Sequence, residues 1–236
     1  HLRFGKEKIQ SQYLLAQSDF IALHKPSYIG RYDILEGIKE GGTFLLNSNF
    51  SKEDVFKNLT ENMQNIIREK KIKVYNIDAL KIAKEVGLGG RISTIMQTAF
   101  FKISGVLPED EAIDLIKKAV KKTYGRKGQD VVNKNLETID ASLNEIKEVD
   151  YPKETRGDIH MKPPVPKDAP EFVQQVTGEL IARRGEELPV SKLPDDGTYP
   201  TGTTKYEKRN VAESIPVWDV DTCIQCGDCS AVCPHG

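Results

Sequence analysis

Short apolar runs alternate with helical patterns along the first 80 or so residues. Three of the runs predict β-strands, and each of the two gaps between them has room for a crossover helix; the runs span 19–23, 43–47 and 72–77. Strands that alternate with helices in this way assemble into a parallel sheet covered by helices. The pattern therefore predicts an α/β domain with a mainly parallel sheet.

One helix is predicted between the second and third strands. Ser51 and Asp54 have the spacing of a capping box. The apolar residues that follow recur at helical intervals and are Val55, Leu59, Met63 and Ile66.

The pattern from 79 to 146 is helical throughout. One helix is predicted to begin near Pro108 and to stop at Gly125, with a buried stripe of Ala112, Leu115, Ala119 and Val120. The next has a packed face of Val132, Leu136, Ile139, Leu143 and Ile146. Gly87, Gly89 and Gly90 follow a helix and not a strand, so we interpret them as helix termination and not as a phosphate loop.

Composition changes sharply after residue 150. Nine of the twelve prolines lie between Pro152 and Pro216, and proline fixes its own φ and disfavours helix at the residue before it. This stretch is predicted to be an extended connector, interrupted by one short helix over 171–184. Within it, residues 194–209 are predicted to be turns and extended chain, which could be disordered alone or could gain order by wrapping a neighbour.

Bulk properties exclude several classes of function. A formal charge of −1 gives no overall field that would attract nucleic acid or an anionic membrane surface. No stretch approaches the roughly 18 to 20 apolar residues of a membrane span, and no secretory signal begins the chain. The expectation is a cytoplasmic protein with neither a nucleic-acid nor a membrane partner.

All four cysteines lie in one short run, Cys223, Cys226, Cys229 and Cys233, followed by Pro234. This CxxCxxCxxxCP spacing is typical of bacterial ferredoxins, in which the first three cysteines bind one [4Fe–4S] cluster and the fourth binds another. Gly227 would permit a tight turn, and Ile224 and Val232 would supply apolar cover. A tetrahedral zinc site is the alternative, because four thiolates also suit Zn²⁺.

The two ends of the chain are interpreted as cut. It opens at His1 without methionine and stops three residues after Cys233. A second cysteine run is expected elsewhere, because this one supplies three ligands to one cluster and one to the other.

Several long stretches resemble the pyruvate:ferredoxin (flavodoxin) oxidoreductase family. They are 1–5, 44–48, 77–108, 123–128, 196–209 and 215–236. The resemblance implies a three-layer γ-type α/β domain over 1–149, truncated at its amino end, and a connector over 150–216. Residues 217–236 would begin an α+β, ferredoxin-like domain with two [4Fe–4S] clusters.

The resemblance also implies an activity for the parent enzyme. Pyruvate and coenzyme A would become acetyl-CoA and CO₂, with electrons passing through the clusters to ferredoxin or flavodoxin. Thiamine diphosphate and Mg²⁺ would be bound by the remaining domains of a homodimer, and the γ-type domain is associated with coenzyme A access. No residue here is assigned a catalytic role. A relative acting on another 2-oxoacid and a non-catalytic electron-carrier or docking module are the alternatives.

Other polar residues are weaker candidates. Arg91 could meet a coenzyme A phosphate, and His24 could line a cleft at the sheet edge. His235 could form a hydrogen bond near a cluster, and Asn47 and Ser48 end a strand where α/β sheets often bind ligands. A basic cluster could attract an acidic carrier or simply be a solvated helix face; it comprises Lys117, Lys118, Lys121 and Lys122.

Overall fold

The computed structural model describes residues 8–10, 15–154, 157–207 and 215–233. Its described core is a four-stranded sheet in the order β1 to β4, with strands Ser18–Leu23, Ile38–Asn47, Lys73–Ile77 and Lys147–Glu148. The first three strands are parallel, and β4 is antiparallel to β3. The predicted mainly parallel α/β sheet is confirmed; the short antiparallel edge strand was not predicted.

Helices cover both faces of the sheet and give three layers. On one face lie α1 (Lys52–Val55) and α2 (Glu61–Glu69). On the other lie α3 (Ala79–Glu85), α4 (Ser93–Ser104) and α6 (Gln129–Glu145), with α5 (Glu109–Tyr124) packed on α4 and α6. The first core lies between the sheet and α1 and α2, and the second lies between the sheet and α3, α4 and α6. Because neighbouring strand residues point to opposite faces, Phe44 and Leu46 of β2 enter the first core and Leu45 enters the second.

The first crossover is shorter than predicted. Strand β2 begins at Ile38 and not near Thr43, so between β1 and β2 the chain forms only a 3₁₀ helix, Pro26–Tyr28, and turns. The extra strand residues are accommodated by a bulge, since Ser18 pairs with Ile38 whereas Phe20 pairs with Thr43.

The single helix predicted after β2 is two helices. After α1 and a 3₁₀ turn, Leu59 is extended, and α2 then starts afresh with Thr60 Oγ1 accepting from the Met63 N–H at 3.2 Å. The capping box was wrong, because the Ser51 side chain makes no cap hydrogen bond. The Asp54 carboxylate instead pairs with Lys57, and this contact, with a smaller contribution from Ser51, lowers the pKa of Asp54.

The stripe predicted for α5 was partly wrong. Leu115 is 48% exposed and Ala119 is exposed, whereas Ile116 is buried with Ala112 and Val120. The buried residues of α5 therefore recur at every fourth position, and this face packs against the neighbouring helices. Pro108 is the N-cap of the helix and not a residue of its first turn, and the helix stops at its C-cap Gly125, as predicted.

The face of α6 contains polar residues that the apolar pattern did not reveal. Thr94 on α4 donates to the Asn135 amide oxygen at 3.2 Å. Thr138 and Ser142 are buried and donate to carbonyls of their own helix. Because each of these hydroxyl groups has a hydrogen-bond partner within the protein, the polar side chains can remain in a buried helix–helix contact.

The described residues of the connector are more ordered than an extended linker. Val149 and Tyr151 pack in the first core, the Glu61 N–H donates to the Ile159 carbonyl at 3.1 Å, and the Lys162 N–H donates to the Gly30 carbonyl at 2.7 Å. These contacts fix the strap, residues 149–154 and 157–162, against the α/β layers.

Residues 163–207 form a small cluster of their own. Val165, Ala169 and Val173 are buried together beside Ile181 and Tyr206. The helix predicted over 171–184 occurs as a π-helical turn, Val173–Thr177, continued by α7, Gly178–Ile181. In the described ranges, no helix has the length and apolar character needed to cross a membrane.

A lysine at the end of α2 provides a test of backbone strain. The Ile72 N–H donates to the Ile67 carbonyl at 2.9 Å, which places Lys71 in the left-handed region with φ of 51°. Glycine adopts this conformation without a steric penalty. Lys71→Gly should therefore raise the free energy of unfolding by about 0.5–1 kcal/mol, measured by urea denaturation followed by circular dichroism.

Lys118→Gly is the matched control, because the same chemical change falls inside α5. It should lower the free energy of unfolding by about 1 kcal/mol. Destabilisation by both substitutions would contradict a strained Lys71.

Candidate functional site

A cleft lies at the carboxyl ends of β2 and β3. Its volume is about 460 Å³, and the residues that line it are Pro26, Asn47, Ser48, Asn49, Asp78, Leu80, Lys81, Lys84 and Glu85. In open α/β sheets ligands bind outside the carboxyl ends of the strands. Asn47 and Ser48 were predicted at this edge, and the structure places both there.

Both predicted residues shape the cleft and are engaged within the protein. The Asn47 amide nitrogen donates to the His24 carbonyl at 2.9 Å, and its amide oxygen accepts from the Ala79 N–H at 2.9 Å. Ser48 donates to the Asn76 amide oxygen at 2.7 Å. Asn47 therefore ties the end of β1, its own strand and the start of α3 together.

Charged groups of both signs surround the opening. The Asp78 carboxylate accepts from the Lys81 N–H and caps α3, and Lys81 lies 3.9 Å from Glu85. Lys84 and Asn49 are exposed at the cleft wall. Lys81 and Lys84 were not predicted at this cleft, because their only signal in the sequence is their spacing of three residues on the helix after β3.

The remaining weak candidates lie elsewhere or are explained structurally. His24 contributes its backbone carbonyl to the contact with Asn47, and burial lowers the pKa of its imidazole. Arg91 is exposed and does not line the cleft. Lys117 pairs with Asp140 at 2.8 Å, while Lys118, Lys121 and Lys122 are exposed, which fits a solvated helix face.

The glycines after α3 terminate that helix, as predicted. The Leu88 N–H donates to the Ala83 carbonyl at 2.7 Å and the Gly87 N–H to the Lys84 carbonyl at 3.1 Å, with Gly87 at φ +76°. This pair of hydrogen bonds is the Schellman motif, whose αL residue is usually glycine. No phosphate loop is formed there.

The four cysteines lie on an exposed loop and on the short helix α8, Asp228–Val232. Within the ranges that the structure describes, no three His, Cys, Asp or Glu side chains converge as a metal site. Ile224 and Val232, the predicted apolar cover, are 84% and 79% exposed. Pro234 and His235 lie outside the described residues.

The backbone of the loop nevertheless fits an iron–sulfur cluster. Gln225 and Gly227 have φ of 57° and 79°, so the chain turns twice between closely spaced thiols. The Gln225 N–H donates to Cys223 Sγ at 3.4 Å. Inward-pointing amides and closely spaced thiolates are what cubane ligation requires, and a bound cluster would accept and release single electrons.

Comparison with known proteins assigns the family. A family model described as pyruvate ferredoxin/flavodoxin oxidoreductase matches residues 1–145. The chain belongs to the pyruvate ferredoxin/flavodoxin oxidoreductase family. A 4Fe–4S binding domain model matches residues 215–236, so an iron–sulfur function accompanies the cysteine run. A third model, described as a domain of unknown function, matches residues 158–212, which include most of the connector.

Similar proteins are much longer than this member of the family. The chain is 52% identical over 235 residues to pyruvate:ferredoxin oxidoreductase of Moorella thermoacetica, covering all of this chain and 20% of that protein. It is 47% identical to pyruvate-flavodoxin oxidoreductase of Rhodospirillum rubrum with the same coverage. Identity to pyruvate dehydrogenase (NADP⁺) of Cryptosporidium parvum is 40%, covering all of this chain and 14% of that protein.

Among solved structures, a pyruvate oxidoreductase subunit of Thermotoga maritima, PORC, matches with a TM-score of 0.47 and 22% identity. The match covers 58% of this chain and 67% of that one. The chain spans about a fifth of the length of the Moorella thermoacetica and Rhodospirillum rubrum enzymes.

The contact made by Asn47 can be tested by one substitution. Asn47→Asp retains an acceptor for the Ala79 N–H but loses the donor to the part-buried His24 carbonyl, so the free energy of unfolding should fall by about 1–3 kcal/mol. Urea denaturation measures the change. Asn49→Asp, an equal change at an exposed neighbour, should stay within about 0.5 kcal/mol of the parent chain; equal losses from both would contradict this role for Asn47.

Proposed function

We propose that this chain forms the electron-relay part of a pyruvate:ferredoxin or pyruvate:flavodoxin oxidoreductase. The observation that carries the proposal is the cysteine run, which lies inside the 4Fe–4S match and follows the oxidoreductase match in one polypeptide. The parent enzyme would convert pyruvate and coenzyme A to acetyl-CoA and CO₂. Each pyruvate releases two electrons, and they would leave one at a time through the clusters.

We assign a role to each segment in the order of the chain. Residues 1–149 form the γ-type domain, 150–216 connect it, and 217–236 begin a ferredoxin-like domain. Cys223, Cys226 and Cys229 ligate one [4Fe–4S] cluster, and Cys233 ligates a second cluster completed by cysteines elsewhere. What supports this assignment over zinc is the sequence of three short spacers followed by proline.

The rest of the chemistry belongs to other parts of the parent enzyme. Thiamine diphosphate with Mg²⁺ would carry the decarboxylation, in the remaining domains of a cytoplasmic homodimer. Ferredoxin or flavodoxin would accept the electrons. The similarity to a pyruvate dehydrogenase (NADP⁺) supports a relay that does not itself select the final acceptor.

We propose further that the cleft beside β2 and β3 receives the phosphate-bearing end of coenzyme A. Three features support this: the position at the carboxyl edge of a parallel sheet, the ammonium groups of Lys81 and Lys84, and the exposed amide of Asn49. Lysine binds phosphate as a point charge. Asn47 and Ser48 hold the cleft walls in place through hydrogen bonds within the protein.

Serine substitutions at two of the cysteines test the ligand assignment in the full-length parent enzyme. Cys226→Ser should abolish the EPR signal of one reduced cluster, and Cys233→Ser should abolish that of a different one, each with loss of up to about four iron atoms. Ser230→Ala, between the two cysteines, should retain both signals and full iron content.

Elemental analysis of the same samples separates iron from zinc. Zinc in place of iron, or loss of one and the same signal from both cysteine variants, would contradict the assignment.

Reversing one charge tests the coenzyme A proposal. Lys84→Glu in the parent enzyme should raise KM for coenzyme A severalfold, because a carboxylate then faces the phosphates, while kcat and KM for pyruvate change little. Steady-state kinetics measures this. Lys118→Glu on α5 is the matched control and should leave all three constants unchanged; an unaltered KM for coenzyme A in Lys84→Glu would refute the contact.

A further inference from the structure

The loop between β1 and β2, residues 24–37, forms part of the cleft wall. Its half-buried Pro26 lines the cleft and begins the 3₁₀ helix Pro26–Tyr28. The Ile29 N–H donates to the Pro26 carbonyl at 2.9 Å, and the buried Gly30 follows directly with φ of 77°. One hydrogen-bonded turn therefore joins the cleft wall at Pro26 to the backbone at Gly30.

The strap crosses this turn at Gly30. The Lys162 N–H donates to the Gly30 carbonyl at 2.7 Å. A Cβ atom on Gly30 would lie 3.4 Å from the His160 carbonyl oxygen and 3.6 Å from Ile159 Cγ2. Because glycine has no side chain, the strap lies directly on the backbone of the turn.

The same part of the strap is attached to the start of α2. The Glu61 N–H donates to the Ile159 carbonyl at 3.1 Å. Two residues earlier, Gly157 has φ of 90°, and a Cβ atom there would lie 2.5 Å from the Lys57 carbonyl oxygen. Residues 157–162 of the strap therefore connect the β1–β2 loop to α2, which packs in the first core.

The polar side chains of the loop do not supply a comparable restraint. Across the described part of the chain, the buried side-chain atoms without a hydrogen-bond partner include Ser27 Oγ, Arg31 Nη1 and Asp33 Oδ1. A buried polar atom without a partner costs free energy and destabilises the loop conformation that buries it. The loop therefore depends on contacts from other parts of the chain, and the strap provides one of them at Gly30.

We propose that residues 157–162 of the strap hold the β1–β2 loop in the position that forms the Pro26 wall of the coenzyme A cleft. The inference rests on the proposed function, because it takes coenzyme A as the ligand of that cleft. Gly30 and Lys162 are then positioning residues, since neither of them lines the cleft. A function is thereby assigned to the beginning of the segment, residues 158–212, that matches a domain of unknown function.

Ligand binding and strap attachment should stabilise each other. If coenzyme A binds the cleft only when the loop is in place, it favours the attached strap, and the attached strap favours coenzyme A binding by the same factor. Coenzyme A should therefore slow hydrogen exchange of the Lys162 N–H. Weakening the strap contact should raise KM for coenzyme A severalfold, while kcat and KM for pyruvate change little.

The experiment combines hydrogen-exchange mass spectrometry with steady-state kinetics on the full-length parent enzyme. In the wild type, coenzyme A should slow exchange severalfold both in α3, which borders the cleft, and at Lys162. Gly157→Ala should displace the strap from Lys57, and Ile159→Ala removes the side chain that lies beside Gly30 without straining the backbone. Both variants should raise KM for coenzyme A severalfold and weaken the protection at Lys162.

Gly41→Ala is the matched control. Gly41 also has a positive φ, 69°, but within the described structure a Cβ atom there would meet nothing within 4 Å. This substitution therefore strains the backbone without touching the strap. Its kinetic constants and its exchange at Lys162 should equal those of the wild type.

Every other result overturns the inference. Protection of α3 without protection of Lys162, or an unchanged KM for coenzyme A in both strap variants, would contradict the role of the strap and leave the coenzyme A site in place. An equal rise in KM in Gly41→Ala would assign the effect to backbone strain, and a parallel loss of kcat would assign the strap to folding alone. Absence of protection in α3, with an unaltered KM in Lys84→Glu, would remove the proposed coenzyme A site itself. Exchange in the wild-type enzyme decides between these results even where Gly157→Ala does not fold.

Discussion

Burial of β2 on both of its faces organises the α/β half of the chain. Phe44, Leu45 and Leu46 are fully buried, and each contributes about 1.5–3 kcal/mol of transfer free energy. Their alternation sends consecutive side chains into separate cores, so β2 links the helices on one side of the sheet to those on the other. At its carboxyl end the same strand presents Asn47, whose amide joins His24 and Ala79. The cleft is thus built on the most buried strand of the sheet.

The strap extends the ordered structure beyond the sheet by packing against the first core. Val149 is buried in the first core and the half-buried Tyr151 packs against it, and backbone hydrogen bonds to Glu61 and Gly30 continue the attachment. The strap becomes ordered because its backbone groups find partners on a preformed surface. The adjoining cluster around Val173 then packs without a strand or a long helix.

The cysteine loop is shaped by local hydrogen bonds and backbone turns and not by apolar burial. Its side chains are exposed throughout the described residues 215–233, and its shape is set by backbone turns at Gln225 and Gly227 and by the Asx turn at Asp219. Local hydrogen bonds can preform such a loop without a hydrophobic core. In the proposed relay, binding of iron and sulfide would supply the cohesion that the α/β half obtains from apolar burial.

The sequence by itself determined the features that depend on neighbouring residues. The cysteine spacing, the three parallel strands, the stop after α3 and the order of helices from Ala79 onward all follow from local pattern and turn chemistry. The tertiary structure decided which face of α5 is buried, where the helix after β2 breaks, the pairing of β4 and the convergence of Asn47, Lys81 and Lys84 on one cleft. The physical reason is that these features depend on contacts between residues far apart in the chain, and no local periodicity records which surfaces will meet.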